Sequence, residues 1–204
     1  PRLKQRVVGS VILSRTFKTI GLGEAAVDEM VKHVYDFDAI DLGCYAKPDG
    51  IYLRAIAKAP SDTLALLALD QAEELIRNAL ESYIWGIDEE TPQGRMGELL
   101  KQHGYTIAIL ESCTGGMVSA AITDVPGSSE YFLGGGVPYT EQAKIAMGVP
   151  EEILAQHGVV SSETARALAS AACTLYGAQC GIGITGVAGP TELDGKPVGT
   201  VFIG

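Results

Sequence analysis

Three side chains in this 204-residue sequence have the types and spacing to cleave an amide or ester bond together: Ser112, Lys144 and Tyr139. Ser112 stands in Leu110-Glu-Ser-Cys-Thr-Gly-Gly116, directly after the apolar run Tyr105-Thr-Ile-Ala-Ile-Leu110. The pattern predicts a buried strand, a sharp turn and a helix from about Gly115. The serine then sits at the helix mouth, where free backbone N–H groups and the helix dipole stabilise developing negative charge. A serine so placed is a nucleophile or an ordinary N-cap, and the tetrad alone does not choose. As a nucleophile it needs a base. Leu110 and Thr114 occupy the glycine positions of a GxSxG elbow, Gly115 stands where an S-x-x-K lysine would be, and His157 in Ala-Gln-His-Gly reads as a helix-end histidine. Lys144 remains, in Tyr139-Thr-Glu-Gln-Ala-Lys144. In a crevice such a lysine loses its proton near neutral pH and serves as the base, with Tyr139 relaying; on a solvated helix face it does nothing. Cys113, beside the serine, is a second candidate nucleophile, and the N–H groups of Cys113, Thr114, Gly115 and Gly116 are candidate oxyanion donors.

The elements that must position these residues follow from periodicity. Val7 to Phe17 reads as a strand, Glu24 to Tyr35 as a helix with a stripe of Ala25, Val27, Met30, Val31 and Val34, and Ala39 to Ala46 and Ile51 to Ala57 as a hairpin about Lys47-Pro-Asp-Gly50. A helix capped by Ser61 or Asp62 runs to about Ser82, burying Leu64, Leu67, Leu75 and Ile76. This describes a small α+β domain over residues 1–87. An acidic link and Pro92 open a second domain, 88–204. Its expected elements are a helix over 92–103, the Ser112 corner, a brief strand from Gly135 to Tyr139, a helix carrying Lys144 after Thr140, a small helix from Pro150 to Gln156, a helix over 162–176, and strands over 179–185 and 198–203. Alternating strands and helices predict an α/β fold: a three-layer domain whose mainly parallel sheet is covered by helices, with its site at the carboxyl ends of the strands. Ser112, Tyr139 and Thr185 all fall at such ends.

Composition narrows the function. Residues 1–86 carry ten Lys/Arg against twelve Asp/Glu and residues 87–204 five against thirteen, so the second domain is a poor partner for a nucleic-acid backbone. The first 20 residues hold five cations and no acid, which suits an exposed strand or a weak nucleic-acid contact, the former preferred. No apolar run is long enough for a membrane span, and no secretory signal is read. Cys44, Cys113, Cys173 and Cys180 lack metal spacing, which predicts reduced thiols, a cytoplasmic setting and no metal. The start at Pro1 predicts a fragment. Gly181-Ile-Gly-Ile-Thr-Gly186 formally matches GxGxxG but lies within a strand, and Gly94-Arg-Met-Gly97 matches GXXG inside a helix. Gly134-Gly-Gly136 and Thr185-Gly-Val-Ala-Gly-Pro190 are better placed to bring backbone N–H groups to a phosphate.

Glu111-Ser-Cys-Thr-Gly-Gly116, Thr123-Asp-Val-Pro-Gly-Ser-Ser129, Phe132-Leu-Gly-Gly, Tyr139 with Ala143-Lys-Ile145, Gly148-Val-Pro, His157-Gly-Val-Val-Ser161, Thr185 to Pro190 and Lys196-Pro-Val-Gly-Thr200 together resemble the C-terminal nicotinamide mononucleotide deamidase domain of the CinA family. Residues 1–86 resemble its KH-like middle domain through Thr16-Phe-Lys-Thr-Ile-Gly-Leu-Gly-Glu24 and Tyr45-Ala-Lys-Pro48. The resemblance implies hydrolysis of nicotinamide mononucleotide to nicotinate mononucleotide and ammonia, in pyridine nucleotide salvage. It assigns Ser112 as nucleophile, Lys144 and Tyr139 as its helpers, and Thr185 and Gly186 to the substrate; Cys113 to Gly116, Gly135 and Gly136 join them as substrate-binding candidates on the backbone and glycine arguments above. No cofactor or metal is implied, nor a nucleic-acid or membrane partner, and a homo-oligomer, a dimer, is expected. A non-catalytic, competence-related scaffold is the rival function. Two departures stand out. Pro138-Tyr-Thr-Glu141 puts a carboxylate near Lys144, where it raises the lysine's pKa, and the resemblance implies a further strand, a basic loop and a helix after Gly204, so that the domain is expected to be truncated.

Overall fold

The computed structural model describes residues 10–193 and 195–204; the described residues fall into two compact units that meet between Pro92 and Gln93 in the sequence. Residues 7–9 of the expected first strand and the cations of the extreme amino terminus lie outside the described residues.

The first unit contains β1 (Val11–Thr19), α1 (Glu24–Met30), β2 (Ile40–Lys47), β3 (Gly50–Ala59), α2 (Asp62–Leu80) and β4 (Ile84–Ile87). Its antiparallel sheet has the order β2-β3-β1-β4. The hairpin between β2 and β3 pairs Lys47 with Gly50, and a Cβ on Gly50 would stand 1.8 Å from the Thr19 carbonyl oxygen, so only glycine closes that turn. The expected helix over 24–35 ends at Met30 and tightens into a 3-10 turn at Lys32–Val34. Val27, Val31 and Val34 are fully buried, and their spacing of four and then three matches the change of pitch. Ser61 caps α2, accepting from the Leu64 N–H, a bond worth about 1 kcal/mol.

Ile76 is buried and Leu75 partly so, as expected, but Leu64 and Leu67 are half exposed; Ala65, Ala68, Leu69, Ala72 and Leu80 complete the buried face in their place. The helix turns its small residues inward because alanines let it approach the sheet closely, and leucine identity is the weaker guide to its orientation. β4, absent from the expected elements, pairs Phe17 with Ile87 on β1. Four residues including a glycine are too short to show a period of two.

The second unit continues with α3 (Pro92–His103), β5 (Ile107–Glu111), α4 (Met117–Thr123), β6 (Phe132–Gly136), α5 (Glu141–Ala146), α6 (Glu151–His157), α7 (Ser162–Tyr176), β7 (Cys180–Gly186) and β8 (Val201–Ile203). The sheet order is β6-β5-β7-β8, parallel except for β8. All five residues of β5 are buried. Ala108 and Leu110 join Leu154, Leu168 and Ala172 on one face of the sheet, and Ile107 and Ile109 join Leu100, Ile122 and Tyr131 on the other. This is the expected layered α/β architecture.

The strand expected at Gly135–Tyr139 lies three residues earlier, because the chain leaves the sheet edge at Val137-Pro138, where proline cannot donate to a ladder. Tyr139 therefore belongs to the loop entering α5. The last strand is also shorter than expected, since Gly199 takes a left-handed φ of 89° before it. The GxGxxG match is a packing device: a Cβ on Gly181 or Gly183 would come within 2.1 Å of the Ala169 or Ala165 carbonyl oxygen of α7. Gly97 of the GXXG match likewise leaves room for the Tyr131 ring.

Candidate active site

β5 ends at Glu111, and the next peptide is held to the neighbouring strand by the Ser112 N–H donating to the Ile184 carbonyl at 2.9 Å. The chain then makes a tight turn through Cys113, Thr114, Gly115 and Gly116. Gly116, left-handed at φ 96°, is the N-cap of α4 and supplies no side chain. The capping oxygens come from Glu111 instead. Its carboxylate accepts from the N–H groups of Val118 (3.1 Å) and Ser119 (2.8 Å) and from the Ser119 hydroxyl (2.7 Å). Ser112 is thereby freed of the cap role that its sequence position allowed.

The Ser112 hydroxyl meets Lys144. Thr140 caps α5 through the Ala143 N–H, which fixes the start of that helix and sends Lys144 inward. Lys144 Nζ lies 3.0 Å from Ser112 Oγ, 3.0 Å from the Pro138 carbonyl oxygen and 3.4 Å from that of Tyr139. Lysine and serine are 2% and 6% exposed. An ammonium can donate to all three oxygens. A neutral amine donates to the two carbonyls and turns its lone pair to the serine O–H, so both protonation states are satisfied in one geometry. Burial, the largest influence, lowers the lysine's pKa from the ordinary 10.5; negative charge on the Cys113 sulfur or on the Glu141 carboxylate opposes it by stabilising the cation. The carboxylate departure noted in the sequence thus acts in the expected direction, and burial outweighs it. Glu141→Gln is therefore expected to move the acid limb of a kcat/KM–pH profile to lower pH, because the neutral amine then persists further down; a limb that stays put would exclude coupling between the two.

Tyr139 stands at the mouth of the site, 63% exposed, and reaches Lys144 through its backbone carbonyl rather than its phenol. Ser112, Cys113, Tyr139, Lys144, Thr185 and Gly186 line a cavity of about 220 Å³, together with Val187 to Gly189 and Thr191 to Leu193. Thr185 is buried, its hydroxyl donating to the Val159 carbonyl at 2.7 Å. Gly186 runs beside Cys113, whose Sγ would stand 2.9 Å from a Cβ at that position.

The remaining glycines and Thr114 lie outside that lining. The space over Gly135 is filled by Ser119 Oγ, and that over Gly136 by Met147 and Leu110. Gly115 spends its N–H on the Ser112 carbonyl at 3.1 Å, whereas no acceptor among the described residues takes the N–H of Cys113, Thr114 or Gly116. Glu111 and the 191–193 segment were not singled out from sequence. A glutamate that continues the inward alternation of Ile107 and Ile109 was the available signal for the first.

A larger cavity of about 640 Å³ lies among α5, α6 and α7 and is mostly apolar; it holds none of these reactive groups, so the site is assigned by chemistry rather than by size. Among the described residues, no group of three or more His, Cys, Asp or Glu is arranged to hold a metal ion, and no helix is long and apolar enough to cross a membrane.

A parallel α/β sheet with a serine–lysine pair at the carboxyl end of its central strands defines the class of the second unit. The family models agree on which such protein it is: residues 89–204 match the CinA C-terminal domain and residues 14–86 the damage-inducible protein CinA KH domain. The chain belongs to the CinA family. It is 42% identical over 196 residues to a competence-damage inducible protein of Moorella thermoacetica, covering 95% of this chain and 47% of that protein. With the protein of the same name from Desulforudis audaxviator it shares 41% over 200 residues, covering 96% and 48%. The chain thus spans about half the length of the curated relatives it matches. A crystal structure of a CinA superfamily protein from Klebsiella pneumoniae superposes with a TM-score of 0.53 at 34% identity, covering 54% of this chain and 71% of that one. One from Escherichia coli gives 0.53 at 30%, covering 54% and 66%.

Proposed function

We propose that the second unit is an amidohydrolase that converts nicotinamide mononucleotide to nicotinate mononucleotide and ammonia. The observation that carries the reading is the buried 3.0 Å approach of Lys144 Nζ to Ser112 Oγ, with both groups facing one small cavity. Neutral Lys144 takes the serine proton as Oγ attacks the carboxamide carbon. The N–H of Cys113, a residue that lines the cavity, stabilises the resulting oxyanion. The C–N bond then breaks, and ammonia leaves with the proton from Lys144. Water attacks the acyl-serine ester with the same amine as base, releasing the carboxylate and restoring Ser112.

A cavity of about 220 Å³ is smaller than the roughly 300 Å³ at which whole-ligand pockets begin, so it takes the amide end of the substrate and leaves the ribose phosphate outside. Thr185 and Gly186 form the wall against the ring, and Tyr139 stands where it can close over it. The reading needs a small nucleotide as the only partner and no cofactor.

Incubating the purified chain with nicotinamide mononucleotide is expected to release ammonia and nicotinate mononucleotide in equal amounts. Absence of both products at high protein concentration would remove the proposal and favour the competence-related scaffold.

A further inference from the structure

Glu111 has no part in the chemistry just described, yet it is fully buried and immediately precedes the nucleophile. On β5 it continues the inward alternation of Ile107 and Ile109, a row otherwise apolar. No cation pairs with it among the described residues. Burial alone would raise its pKa, but the hydrogen bonds from Ser119 and from the Val118 N–H outweigh this and keep the carboxyl below its ordinary range; Thr114 Oγ1 lowers it further, from outside hydrogen-bond geometry. The group is therefore an ionised acceptor, and all its donors lie at the start of α4.

The turn from Ser112 to Gly116 is thus tied at both ends. Ser112 N–H is fixed to β7, and the first turn of α4 is fixed to the last residue of β5. Room for the second tie comes from Gly135, where a Cβ would stand 2.6 Å from Ser119 Oγ. A methyl group there would push the hydroxyl off the carboxylate.

We infer that Glu111 is a positioning residue: by clamping the start of α4 to the end of β5, it holds the Ser112 hydroxyl and the neighbouring N–H donors in attacking geometry. The inference rests on Ser112 being the nucleophile. In Glu111→Gln one acceptor oxygen becomes an NH2 that opposes a backbone N–H, so the turn shifts without loss of the strand. A displacement on the order of 1 Å at such a site lowers turnover on the order of 10²-fold.

The test compares wild type, Glu111→Gln, Ser119→Ala and the double variant for hydrolysis of nicotinamide mononucleotide and for the rate at which a fluorophosphonate probe labels Ser112. Glu111→Gln is expected to lose on the order of 10²-fold in kcat and in labelling rate with KM little changed. Ser119→Ala should lose less, and the double variant no more than Glu111→Gln. The acid limb of the pH profile should stay where it is, because the Glu111 charge is not among the influences on Lys144.

Wild-type labelling and kcat in folded Glu111→Gln would overturn the clamp. A displaced acid limb would do the same by showing action through the lysine. If Glu111→Gln fails to fold, Ser119→Ala decides: slowed labelling supports the clamp and unchanged labelling removes it. Labelling that depends on Glu111 without any hydrolysis would keep the clamp and discard the substrate. A wild type that neither labels nor turns over would discard both.

Discussion

Ser112→Ala lowers kcat for nicotinamide mononucleotide by at least about 10³-fold while leaving substrate affinity close to that of the wild type. The size follows from the covalent route: without Oγ there is no acyl intermediate, and only the oxyanion donors and the bound geometry remain to assist direct attack by water. The side chain is small and its hydroxyl meets only Lys144 Nζ among the described residues, so the variant keeps the cavity and the fold. Measured by single-turnover ammonia release and by equilibrium binding of the substrate, the expected split is lost chemistry with retained binding. Turnover within a few-fold of wild type would show that the serine is only the lysine's hydrogen-bond partner, and would return attention to Cys113 in the same cavity.

The serine–lysine pairing was legible because elimination is strong where cations are scarce. Only five Lys/Arg occur after residue 86, and the motifs that would supply another base are broken by Leu110, Thr114 and Gly115. The ambiguity between cap and nucleophile was not resolvable at that level. It depends on Glu111, which takes over the cap only once β5 is buried on both faces and the end of the strand is brought over α4.

Glycine was the most ambiguous letter. Close approach of backbone to a phosphate and close approach of a helix to a strand make the same demand for a missing Cβ. Gly181 and Gly183 meet α7, and Gly135 meets Ser119, before any ligand enters. In the first unit the same limit appears in α2. Periodicity placed the helix, but its azimuth was set by where Ala65, Ala68 and Ala72 let it sit on the sheet, which leucine counting does not reveal.

Lys144→Met carries the other large effect, a fall in kcat/KM of about 10² to 10⁴-fold, the range typical of a lost general base. Methionine has nearly the volume of the lysine stem and fills the slot between Pro138 and Ser112, but it can neither take nor return a proton. The consequence separable from activity lies in stability. Burial holds the folded pKa of Lys144 below the ordinary 10.5, so between those two values the unfolded chain binds more protons than the folded one and stability rises with pH. Below the folded value both states are protonated, the desolvation penalty is paid in full, and that increment of stability is absent. Chemical denaturation of wild type and Lys144→Met across that window is expected to show the extra rise in the wild type alone, the difference cancelling the other groups that titrate nearby. Parallel stability curves would mean that the lysine is charged and hydrated in solution as it is in the unfolded chain. A lysine of that kind cannot hold its lone pair on Ser112 near neutral pH, so loss of the stability slope and loss of the base are one result.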